Sequence, residues 1–163
     1  KPDPGMMING MLAGLVAITA ACAFVAPWAA VVIGLIAGIL CALAVGLKYL
    51  FNFDDSLDVV GVHLVGGIWG SLSIGLFGSS AVNSIGLDGL FFGGGTALLG
   101  KQALAVALVA GYSFFATLII GFAIEKTIGF RVTKESELEG VDFNEHAESA
   151  YEMSGSTRGV SLI

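Results

Sequence analysis

The chain has 163 residues, 56% of them hydrophobic and only 12% charged, with a mean hydropathy of +0.90 and a formal charge of −6. Soluble domains carry about 25% charged residues, so this chain cannot cover a globule with a solvated surface. That excludes an ordinary cytosolic enzyme, a nucleic-acid binder and a disordered protein. Residues 4–47, 59–87 and 102–124 hold no Asp, Glu, Lys or Arg, and a helix crossing the hydrocarbon needs roughly 20 such residues. The fold class is therefore all-α and integral to the membrane, with the lipid bilayer as a partner.

The chain opens on Lys1-Pro2-Asp3-Pro4-Gly5 rather than Met, and the apolar run that follows is too long for a signal peptide. It reads as the C-terminal piece of a longer protein. A first span is expected over about 6–25. Pro27 interrupts the apolar run, because proline is tolerated at a helix start and pushes the preceding residue out of helical geometry. A second span follows over about 28–50, with Trp28 at a depth where Trp is enriched. Cys22 and Cys41 lie in these apolar runs without a second pair and read as membrane-buried packing residues. Asn52 to Asp58 is a polar loop that also looks like a helix start. Asp55 or Ser56 can cap the next helix, while Asp54 and Asp58 add negative charge where the macrodipole is positive.

The third span is expected over about 57–77 and the fourth over about 102–128. They are separated by a loop over 78–100 with seven glycines and one charge, Asp88. Residues 1–130 thus form the membrane part and 131–163 an acidic tail, with three Lys/Arg against seven Asp/Glu. Four spans put both ends on one side. That side receives Lys1, Lys48, Lys126, Arg131, Lys134 and Arg158, and the other only Lys101, which places both ends in the cytoplasm by the positive-inside rule. Small residues at four-residue spacing (Gly10/Gly14, Gly34/Gly38, Gly66/Gly70) predict helices packed by close backbone approach.

His63 is the only ionisable group between 59 and 87. On a regular helix it shares a face with Gly67 and Gly70, so it is expected to point toward protein rather than lipid. Such a residue either packs, donating to a carbonyl, or lines a pathway. Its cost inside a span favours the pathway. Inside a span desolvation disfavours the imidazolium, so a neutral ring is expected, one nitrogen a donor and the other an acceptor. The run Gly95-Thr96-Ala97-Leu98-Leu99-Gly100-Lys101 imitates a phosphate loop but is followed by Gln102 where Ser or Thr would hold magnesium. No zinc-type or triad spacing is present, so neither a metal, a cofactor nor an enzymatic role is expected. His146 lies in a polar stretch that reads either as a solvated surface or as a docking element.

The run Asp54-Asp55-Ser56-Leu57-Asp58-Val59-Val60-Gly61-Val62-His63-Leu64-Val65-Gly66-Gly67 closely resembles the D-D-x-x-D-V-x-G-V-H-x-V-x-G signature of ammonium transporters of the Amt/Mep/Rh family. The start, Gly10-Met11-Leu12-Ala13-Gly14-Leu15-Val16-Ala17-Ile18-Thr19, resembles that family's G-x-x-A-G-L-V-x-I-T span. The stretch from Gly129-Phe130-Arg131-Val132 through Glu139-Gly140-Val141-Asp142 to Glu145-His146-Ala147-Glu148-Ser149-Ala150-Tyr151 resembles its cytoplasmic tail. The likeness is greatest to the bacterial Amt branch.

The resemblance implies the last four spans of an eleven-span fold that assembles as a homotrimer in the plasma membrane, one pore per subunit. His63 matches the second of two pore histidines, and Val59, one turn earlier, matches a pore-lining position. The first histidine, the outer aromatic site and the phenylalanine gate belong to earlier spans. The implied function is ammonium/ammonia transport: the cation loses a proton outside a dry constriction and ammonia crosses past neutral imidazoles. Gly66, Gly67 and Gly70 would serve helix packing. The tail residues Asp142, His146, Glu148 and Tyr151 would serve regulation, contacting a neighbouring subunit and a PII-type signalling protein. The alternative within the family is an ammonium sensor signalling through its cytoplasmic part. The 33 residues after Phe130 read as a tail without a fused domain, an expectation that favours transport.

Overall fold

The computed structural model describes residues 4–147. Every regular element among them is helical: α1 (Pro4–Ala21), α2 (Pro27–Val45), α3 (Leu47–Phe51), a π-helical turn (Val60–Leu64) running directly into α4 (Val65–Phe77), a 3-10 turn (Leu90–Phe92), α5 (Ala97–Thr127), α6 (Lys134–Glu139) and α7 (Val141–His146). Among the described residues four stretches are long and apolar enough to cross a membrane: Pro4–Ala21, Pro27–Phe51, Val60–Phe77 and Ala97–Thr127. The last begins at Ala97 rather than near Gln102, because nothing after the glycine run 93–95 interrupts a helix. Lys101 therefore lies within α5 rather than in the loop, and the imitation phosphate loop is helical from Ala97 onward.

The chain divides after Tyr112 into two compact units. In the first, Ala26 is extended (φ −70°, ψ 154°) and Pro27 opens α2, at a position where its missing N–H leaves no bond unmade. α1, α2 and α4 meet along a seam of small side chains. α1 contributes Ala13, Ala17 and Ala21, and α2 contributes Ala29, Ile33, Ala37 and Cys41, all essentially inaccessible. α4 contributes Gly66, Gly70, Ser73 and Phe77. The four-residue spacing lays one ridge along each helix, and methyl groups or hydrogens on that ridge let the backbones close up.

Of the glycine pairs expected to pack helices, Gly66/Gly70 lies in this seam, and the expectation for Gly10/Gly14 and Gly34/Gly38 is corrected. A Cβ on Gly66 would stand 3.3 Å from Val16, and one on Gly70 would run into the Ala17 carbonyl, but Gly10, Gly14, Gly34, Gly38 and Gly67 have open space there. In α1 and α2 the alanine ridge lies to one side of the glycine ridge and takes the contact. Cys41 is buried as expected, whereas Cys22, at the end of α1, is exposed.

Residues 78–96 fold back over the α1–α2 connection. The Ser79 N–H donates to the Phe24 carbonyl at 2.9 Å. Trp28 packs edge-on against Phe77 with centroids 5.9 Å apart, and Phe77 meets Phe91 at 5.2 Å. The Asp88 carboxylate braces the loop, accepting from the Ser80 N–H at 2.7 Å and from its hydroxyl at 3.0 Å. In the second unit Gly129, at φ +83°, ends α5, and the Phe130 N–H donates to Glu125 Oε2 at 3.0 Å. The Thr133 hydroxyl caps α6 by accepting from the Ser136 N–H at 3.2 Å, and Gly140 (φ +109°) turns the chain into α7.

Candidate functional site

The informative turn is built from the loop upward. α3 closes on Asn52 in the left-handed region (φ 54°), a conformation Asn tolerates. The Asp55 carboxylate then accepts two backbone N–H groups, Val59 at 2.8 Å and Val60 at 2.9 Å, satisfying donors that no helical carbonyl reaches. Asp54 is exposed.

Asp58 has a different partner set from the dipole compensation expected of it. It too is left-handed (φ 56°), and its carbonyl accepts from the Val62 N–H at 2.8 Å. Its carboxylate turns away from the helix axis to Lys48 Nζ at 2.6 Å and Asn9 Nδ2 at 2.7 Å. Lys48 also donates to the Asp55 carbonyl at 3.1 Å. The Lys48 ammonium holds the Asp58 carboxyl below the usual carboxylate range, with Asn9 adding to the effect and partial burial opposing it.

The next turn is wound more widely than an α-helix. The Val65 N–H reaches the Val60 carbonyl, five residues back, the spacing that defines a π turn. Gly61 makes this possible where the turn presses on α2, since a Cβ there would lie 2.8 Å from the Val45 nitrogen. Val62 is buried in contact with Ala13 and Cys41, and the Cys41 thiol donates weakly to the Val62 carbonyl at 3.7 Å. One turn further, the Trp69 indole N–H donates to the Ile33 carbonyl of α2 at 3.0 Å.

His63 follows the buried Val62 and is itself exposed. The expectation that it shares a face with Gly70, a residue of the packed seam, is corrected. Gly70 is buried against α1, while His63 stands on the open side, as does Gly67. A Cβ on Gly67 would meet nothing within 4 Å among the described residues. Val59, 48% exposed, also stays clear of the seam. The physical reason is that the seam is occupied by residues 62, 66, 70, 73 and 77, and the π turn places 63 beside that row rather than in it.

Of the tail residues, Asp142 and His146 are exposed on α7, whereas Glu148 and Tyr151 lie outside the described residues. Among the described residues no three His, Cys, Asp or Glu side chains converge as metal ligands would. Sequence reasoning missed Asn9, Gly61 and the pairing of Lys48 with Asp58. Asn9 offered a signal as the one amide in an otherwise uncharged apolar run. Lys48 offered one as the cation nearest in sequence to three acids. Gly61 offered none beyond its place in the motif.

The family model described as Ammonium Transporter Family matches residues 1–151 of this chain. The protein named ammonium transporter in Mycobacterium tuberculosis is 50% identical over 149 residues, covering 88% of this chain and 31% of the relative. The one of that name in Bacillus subtilis is 42% identical over 153 residues, covering 93% and 38%. The crystal structure of Saccharomyces cerevisiae Mep2 superposes with a TM-score of 0.71 at 33% identity, over 78% of this chain and 30% of that one. The chain spans about a third of the length of the curated relatives it matches.

Proposed function

Because this chain belongs to the Ammonium Transporter Family, we propose that it forms one wall of a path by which ammonium nitrogen crosses a membrane, with His63 and Val59 lining that path. The observation that carries the reading is the placement of His63. It is exposed on the side that the α1–α2–α4 seam leaves open, in a π turn, a rare geometry that gathers at functional sites. Transferring a bare cation into a dry channel costs many times more than transferring neutral ammonia. A neutral imidazole offers ammonia one donor and one acceptor without holding a cation in place. Val59 supplies apolar surface one turn away, which keeps the passage dry.

The Lys and Arg distribution supports an orientation with the acidic tail in the cytoplasm, and the family likeness a place in the plasma membrane. In that arrangement the tail residues Asp142, His146, Glu148 and Tyr151 serve regulation, through a neighbouring subunit of a homotrimer or a PII-type protein. The experiment is uptake of labelled methylammonium by phospholipid vesicles containing the full-length protein. His63→Ala should slow uptake by about twofold to tenfold, the rate equivalent of a neutral hydrogen bond worth roughly 0.5–1.5 kcal/mol. Unchanged uptake would remove His63 from the path. Ammonium binding without any uptake by the unaltered protein would instead favour the sensor.

A further inference from the structure

We infer that Asp58 is a positioning residue for this path: by tying Lys48 and Asn9 to the start of the π turn, it sets where His63 stands. The inference rests on the reading of His63 as a path residue. Three chain segments meet at one carboxylate, since Asn9 belongs to α1, Lys48 to α3 and Asp58 to the loop entering the turn. Charge-assisted bonds of this kind are short and among the stronger polar contacts in proteins.

Asp58 is not needed as a cap, because the Asp55 carboxylate already holds the Val59 and Val60 N–H groups. The left-handed backbone at Asp58 is one that Asp and Asn adopt more readily than other side chains. It lets the carbonyl serve Val62 while the carboxylate serves the other helices. The turn is thereby held at both ends: at its start by this clasp, and further along by Gly61 against Val45 and by the Cys41 thiol on the Val62 carbonyl. Release at the start would let the turn rewind toward α periodicity. A one-residue slip of a helix rotates a side chain by roughly 100°, which would take His63 off the open face.

The test uses the full-length protein in phosphatidylcholine/phosphatidylglycerol vesicles, with methylammonium uptake normalised to the amount of folded protein. Asp58→Ala should lower the maximal rate per folded molecule by about twofold to tenfold, leave the half-saturating concentration unchanged, and add little to His63→Ala, as residues acting through one another are non-additive. Asp58→Asn, which keeps the backbone preference and an oxygen toward Lys48, should restore most of the rate. The inference is overturned if Asp58→Ala reduces only the yield of folded protein, if its effect multiplies with that of His63→Ala, or if Asp58→Asn is as damaging as Asp58→Ala, which would make the carboxylate a charge carrier. If His63→Ala slows uptake and Asp58→Ala does not, the inference alone fails. If His63→Ala has no effect, the functional reading fails with it.

Discussion

At the scale of single residues, two neighbouring aspartates show how similar side chains divide two tasks. Asp55 spends both oxygens on backbone N–H groups, and Asp58 spends both on side chains of other helices. The second arrangement has a pH signature. The Asp58 carboxyl is held below its ordinary value by the Lys48 ammonium, so its contribution to stability is fully present above the unfolded value of about pH 4 and is lost as pH falls through the lower folded value. Melting of the detergent-solubilised protein should therefore drop below about pH 4, and Asp58→Asn should flatten that part of the profile. Equal slopes for both proteins would assign the acid sensitivity to other carboxylates. The packed glycines differ in the same local way. A methyl on Gly66 meets a valine side chain, whereas one on Gly70 meets the Ala17 backbone. Gly70→Ala should cost about 1–3 kcal/mol through overpacking and Gly66→Ala distinctly less, a ranking that the same melting experiment reads directly.

At the scale of elements, the π turn is the feature that departs from a simple helical reading. Four helical stretches, the Pro27 break and the capping role of Asp55 follow from hydropathy, proline chemistry and N-cap preference. None of these rules reports a change of periodicity within an apolar run, since Val-Gly-Val-His-Leu carries no proline or charge to mark it. For that reason regular helical geometry wrongly joins His63 to Gly70. Deleting Val60 should convert the turn to α periodicity and re-aim Val59 relative to His63. Uptake should fall well below that of the intact protein while helix content by circular dichroism stays the same. Uptake at the intact rate would mean that the wide turn has no part in the path.

At the scale of the whole molecule, what is legible in the sequence and what is not follows from the range of each interaction. Membrane insertion and span number depend on runs of one chain segment, and composition carries them. Which face of a helix is packed depends on the neighbour, and small residues alone do not choose between faces. Gly10 and Gly34 looked as suited to a seam as Ala13 and Ala37, yet only the alanines are buried. The Asn9–Asp58–Lys48 clasp was missed for the same reason: Lys48 is near Asp58 in the chain, but Asn9 comes to it from a distant helix. The alanine seam carries a further consequence, an entropic one. Fixing a buried Leu or Ile side chain forfeits about 0.5–1 kcal/mol of rotamer freedom and a Met up to about 2, whereas alanine forfeits none. A seam made largely of Ala13, Ala17, Ala21, Ala29 and Ala37 has almost no side-chain states to lose when it forms, and almost none to explore afterwards. It acts as a stiff backing plate for the turn that carries His63.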